Sequence, residues 1–212
     1  MKLRSNRLTY AAMLVIAASG SSRSQAQPSA SADKPTAAAY YPLAVGNTWQ
    51  FEMTTAGTTR PVEFRVAKLE TIDNVPMYRV DTVISGNFAA SESLAANTKG
   101  LFRYRYNGIE IAPPILLLRN PVRIGDSWST ETQLGDQKLT VTCNVTEEKV
   151  SVEAGDFRAI KLVVETTVDG TQIKSEYWLA ANTGIVKQLL TIGGKLVEIK
   201  LQKFSPAEPS PD

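Results

Sequence analysis

The chain has 212 residues, with 23 Lys and Arg against 21 Asp and Glu, one cysteine and no histidine. The missing imidazole removes the commonest general base and metal ligand, and zinc sites of His or multi-Cys type cannot be built. Cys143, being alone, excludes an internal disulfide, and no basic run remains to release counterions from DNA or RNA, so no nucleic-acid partner is expected.

At the N-terminus, Lys2, Arg4 and Arg7 precede an uncharged apolar stretch, Leu8–Gly20, and Ser24 and Ala26 offer a small-residue cleavage pair. That is the form of an export signal over residues 1–26. The stretch falls short of the roughly 20 residues a spanning helix needs, so no transmembrane span is expected after cleavage. No cysteine follows it, and the lipoprotein acylation site is missing. The expected location is periplasmic or extracellular. Removing Lys2, Arg4, Arg7 and Arg23 leaves 19 basic residues against 21 acidic, a net charge of −2. Residues 27–39 and 205–212 are small, polar and Pro-rich, and read as a disordered linker and tail.

The stretch between them says one thing twice. PLAVGNTW at Pro42–Trp49 returns as PVRIGDSW at Pro121–Trp128, and LAANT at Leu94–Thr98 recurs letter for letter at Leu179–Thr183. Offsets of 79 and 85 in the same order are the trace of an internal duplication. β repeat 1 then covers 40–118 and β repeat 2 covers 119–204, packed as one globular unit.

Within each repeat, runs of Val, Ile, Thr and aromatics alternate with Gly, Asn and Asp turn signals. The first half predicts strands near 48–55, 59–71, 75–85, 88–96, 100–106 and 109–112. The second predicts 128–134, 138–152, 157–168, 171–180, 184–192 and 195–203. Asn107-Gly108 suits a two-residue hairpin turn, which would set Tyr106 opposite Ile109 and Arg105 opposite Glu110. Asp169-Gly170 and Gly193-Gly194 give registers that keep each apolar set on one face. The fold class is all-β: a duplicated six-stranded antiparallel meander, about twelve strands, forming a curved sheet, partial barrel or sandwich.

Several side chains stand out. Trp49 and Trp128 open matching strands and are expected to anchor the core. Trp178 lies on the face of Lys161 and Glu165, half exposed and available to a partner. Arg103 and Arg105 project opposite Phe102, Tyr104 and Tyr106, as a surface ladder or, if the sheet curls that way, as inward contacts for an anion or headgroup. Ala112-Pro-Pro precedes four aliphatics, Ile115, Leu116, Leu117 and Leu118. The prolines bar ladder pairing, so this segment is read as a connector against the core or a lid over a cavity. Cys143 alternates with Leu139, Val141 and Val145 and is expected to be buried and inert. The carboxylates fall at turns or opposite bases, and no pair is singled out for catalysis. No catalytic, cofactor-binding or metal-ligating residue is expected.

The Tyr40–Trp49 opening, Pro121–Trp128, Ala154-Gly-Asp-Phe157 and the Tyr177–Lys187 ending resemble a group of exported bacterial all-β proteins of unknown function. In outline they are similar to curved-sheet periplasmic carriers of lipoproteins or lipids. The expectation is an exported, non-catalytic binding protein of the cell envelope, holding an apolar small molecule, a lipid or an envelope protein without a cofactor. The alternatives are a structural or assembly component and a carboxylate-dependent glycan hydrolase.

Overall fold

The structure, a computed structural model, describes residues 36–208 except 169. The export signal, the linker before Thr36, Asp169 of one predicted turn and the last four residues lie outside the described residues. Among the described residues, a helical turn α1 (Ala37–Tyr40) precedes twelve strands. They are β1 (Thr48–Thr55), β2 (Thr58–Ile72), β3 (Val75–Ile84), β4 (Asn87–Asn97), β5 (Gly100–Tyr106), β6 (Ile109–Arg119), β7 (Ser127–Leu134), β8 (Gln137–Val152), β9 (Gly155–Val168), β10 (Thr171–Ala180), β11 (Gly184–Ile192) and β12 (Lys195–Ser205).

Each strand pairs antiparallel with its chain neighbours, and β12 returns to β1, from Thr48 opposite Ser205 to Thr55 opposite Val197. The meander is a closed barrel, and closure removes the exposed edges that so many strands would leave in an open sheet. Alternation decides the faces. On β8, Leu139, Val141, Cys143 and Val145 are buried in the interior while Lys138 and Thr140 are exposed. The outside carries ion pairs such as Lys161–Glu176 at 3.0 Å and Lys187–Glu198 at 3.1 Å. An apolar interior with a charged exterior is the reverse of a membrane-spanning barrel.

The repeated motif has the same structural role in both halves. Gly46 N donates to Val66 O and Val66 N to Asn47 O, both at 2.9 Å. Seventy-nine residues on, Gly125 N donates to Val145 O at 2.8 Å and Val145 N to Asp126 O at 2.9 Å. Each motif thereby ties the entry of its first strand to the second strand, and Trp49 and Trp128 bury their rings just beyond.

The end of the barrel that holds both motifs also holds both LAANT turns, since strands alternate in direction. α1 sits across it. Ala37 N donates to Asn120 Oδ1 at 2.6 Å, Asn120 Nδ2 to Asn97 O at 2.8 Å, and Asn182 N to Ala39 O at 2.7 Å. Asn97 and Asn182 are the matching asparagines of the two LAANT copies, so the cap spans the two repeats. The linker predicted over 27–39 therefore ends early: Ala37 is fully buried and Tyr41 nearly so.

Candidate functional site

Two places in the barrel concentrate unusual chemistry: a polar centre inside it and a seam between β6 and β7. In the interior, Arg103 on β5 and Glu92 on β4 are both buried, with Arg103 Nη2 3.2 Å from Glu92 Oε1. Tyr106 lies directly across the β4–β5 ladder from Glu92, and Tyr177 directly across the β10–β11 ladder from Gln188. All of these, with Ser175 and Tyr41 from beneath the cap, are buried. The Tyr106 hydroxyl and the Gln188 amide have no protein hydrogen-bond partner.

Sequence alternation separates Arg103 from Tyr106. The structure turns both inward, because Ser93 faces Arg105 while the next residue, Leu94, faces Arg103, so that Tyr104 is an extra residue on β5 and resets which face follows. Arg103 is therefore no part of a surface ladder. Arg105 is: it stands opposite Glu110 as its turn predicts, and its Nη2 lies 3.6 Å from Asp73 Oδ2.

The polar centre has perturbed protonation. Burial pushes the Glu92 carboxyl up to about 7, against the attraction and hydrogen bonding of Arg103. Burial would lower Arg103, but Glu92 foremost, then Tyr177, Tyr41 and Tyr106, hold it above its ordinary value. Burial pushes the Tyr177 phenol up to about 12, opposed by Arg103, and burial likewise raises the Cys143 thiol to about 12. Sequence reading missed Glu92 and Gln188. The available signal was Ala90-Ser-Glu92-Ser-Leu94, where an acid occupies the face of two apolar residues.

The seam overturns a second expectation. Ile115 to Leu118 are neither connector nor lid: β6 runs unbroken to Arg119 and pairs with β5, Ile115 opposite Arg103, Leu116 opposite Phe102 and Leu118 opposite Leu101. Ile115, Leu117 and Leu118 are buried in the core and Leu116 is half-buried. Pro113 and Pro114 sit in the irregular stretch opposite Arg103–Arg105, where no ladder donor is needed. On its other side β6 barely pairs: only Ile111–Leu134 and Ala112–Gln133 connect it to β7. Side chains bridge the rest. Trp128 Nε1 donates to Leu116 O at 2.8 Å, and the Thr132 hydroxyl donates to Pro113 O. Beside the seam lies a groove of about 620 Å³ with Pro113, Glu131, Gln133, Lys138 and Thr140 on its walls. It adjoins another of about 430 Å³ on β8–β11 through Thr140 and Thr167.

Trp178 faces outward as predicted but is buried, at 5% exposure. The β8–β9 hairpin leans over β10–β12, with Ala154 N donating to Leu201 O at 3.1 Å. Glu148 Oε2 from that hairpin accepts the Trp178 indole N–H at 2.8 Å, while Lys161 and Lys187 lie 4.7 and 5.1 Å from the ring. Trp178 is a covered anchor, not an exposed contact. Among the described residues, no three Cys, Asp or Glu gather as a metal-ligating set, and no helix is long and apolar enough to cross a membrane.

No family model matches the sequence, and no curated protein does. Three solved structures are similar at 14% identity. They are a presumed lipoprotein of Parabacteroides distasonis (TM-score 0.45, covering 78% of this chain and 98% of that one), a presumed exported protein with a YmcC-like fold from Bacteroides fragilis (0.44; 81% and 98%), and the hypothetical lipoprotein YmcC of Escherichia coli (0.40; 76% and 86%).

Proposed function

We propose that the protein is an exported, non-catalytic binding protein of the cell envelope that engages a partner chain on the outside of its barrel. Export rests on the charged, apolar and small-residue order of residues 1–26. The choice of outside over inside rests on one observation. Large side chains fill the interior, with Trp49, Arg103, Tyr41, Tyr106, Tyr177 and Phe64 each below 2% exposure, whereas grooves of about 620 and 430 Å³ lie on the outer surface. An interior carrier of an apolar or amphipathic molecule is correspondingly less favoured, and the buried carboxylate Glu92 is committed to Arg103 and not placed in either groove.

The test is to purify the mature protein from its own envelope, extract it for lipid, and offer it an apolar fluorescent probe. The reading expects no stoichiometric lipid, no probe uptake, and a protein partner retained through cross-linking. A lipid recovered one-to-one with the protein would overturn it.

A further inference from the structure

Resting on that reading, we propose that β7 is a docking edge which takes an extended, proline-free segment of a partner protein as an additional antiparallel strand. The Gly135-Asp136 turn is a two-residue hairpin closed by Leu134 opposite Gln137. In such a hairpin the closing pair exchanges hydrogen bonds, and alternate residues back along the strand point their N–H and C=O groups away from the hairpin partner. Leu134, Thr132, Thr130 and Trp128 therefore bond to β8, and Gln133, Glu131, Ser129 and Ser127 turn their backbone toward β6. Gln133 meets Ala112 and Gly135 N donates to Glu110 O at 3.2 Å. Beyond Gln133 the ladder to β6 stops.

The reason it stops lies in β6. Pro113 and Pro114 have no N–H to offer, and the strand then follows β5 inward: Leu116 O faces the interior side, taking the Trp128 indole and lying 3.8 Å from the Cys143 sulfur on β8. The side-chain contacts satisfy carbonyls of β6. They do nothing for the outward backbone of Ser127, Ser129 and Glu131, which is left as a short strand edge in an otherwise closed barrel.

A row of alternating N–H and C=O groups is complemented by another extended backbone. The walls add little side-chain selection, since Glu131 and Lys138 oppose one another in charge and the rest are three threonines, Gln133, Pro113, Ala112 and Leu139. A second copy of this chain fits poorly. Its own β7 edge is flanked by the same β6, so pairing two copies would bring two β6 strands together, whereas a single free strand pairs along the exposed Ser127–Glu131 edge, which reaches the groove at Glu131.

The probe is the acetylated, amidated peptide Lys-(Thr-Val)3-Thr-Lys, with a control carrying N-methyl groups on alternate residues. Hydrogen exchange is followed at single amides of the full mature protein. Binding of the plain peptide should slow exchange at Ser127, Ser129 and Glu131 by at least tenfold, and the N-methylated peptide should slow none of them. Ser129→Pro removes an outward donor without touching the β8 ladder, and should abolish the protection while the fold is retained. Equal binding of both peptides, protection elsewhere only, or dimerisation of the protein through these amides would overturn the inference. A partner cross-linked from envelope that Ser129→Pro still retains would sink the β7 edge but leave partner binding standing. Stoichiometric lipid and no partner would sink the broader reading.

Discussion

Glu92 and Tyr177 occupy matching positions of the duplication, each two residues ahead of a LAANT segment, and both are buried beside Arg103. One ancestral inward position thus carries a carboxylate in one half and a phenol in the other. The Arg103 guanidinium of the first half pairs with that carboxylate and interacts with that phenol, so the polar centre, through Tyr177, also joins the two repeats.

Stability should fall as pH rises between about 4.5 and 7. Burial raises Glu92 from 4.5 to about 7 in the folded protein, so across that window the native state binds more protons than the unfolded chain, and the linkage slope is negative. Glu92→Gln should remove that slope, costing little at pH 5 and becoming the more stable form above pH 8. Urea midpoints at pH 5, 6.5 and 8 check this. A midpoint that rises from pH 5 to pH 7 in the native chain but not in Glu92→Gln would contradict it.

Arg103→Met should act in the opposite sense. Removing one member of a buried pair leaves the other uncompensated, at about 3–5 kcal/mol. The loss should be largest at pH 8, where Glu92 must ionise without its partner, and smaller at pH 5, where it stays neutral. Denaturant unfolding of the two variants and their double mutant gives the coupling directly.

How far the sequence carries is visible in these same residues. Turn chemistry predicts Arg105 opposite Glu110 because Asn107 and Gly108 adopt the positive φ, 49° and 77°, that the turn demands. The repeat offset of 79 reappears as matched hydrogen bonds at Val66 and Val145. Alternation misplaces Arg103 because period-two reasoning has no way to see a bulge, and one extra residue reverses every face beyond it. The predicted β6 ends at Ala112 because proline is weighed against a ladder, whereas Pro113 and Pro114 fall in the irregular stretch opposite Arg103–Arg105 and the ladder to β5 resumes at Ile115. The cap escaped notice because its hydrogen bonds are made to Asn120 and Asn182, far along the chain.

Gly100 opens β5 where no side chain fits. Its φ is 148°, and a Cβ there would overlap the Leu118 carbonyl oxygen on β6. Gly100→Ala should cost about 2–4 kcal/mol, in the range of backbone-strain substitutions. Gly108→Ala, where φ is 77° and nothing lies within 4 Å of the added carbon, should cost about 1–2 kcal/mol from the left-handed conformation alone. Thermal melts of the pair separate overlap from conformation.

Trp128→Phe keeps the aromatic bulk and deletes the N–H that reaches Leu116 O across the seam. The loss should be about 1–3 kcal/mol, the cost of leaving a buried carbonyl unpaired. Trp49→Phe deletes the matching indole bond to Thr183 O, 3.1 Å long, and should cost a similar amount but loosen a different place. Hydrogen exchange distinguishes them: faster exchange near Leu116–Leu118 for Trp128→Phe, and near the β10–β11 turn for Trp49→Phe. If both variants loosened the same segment, the two tryptophans would not be the independent anchors that their separate acceptors make them.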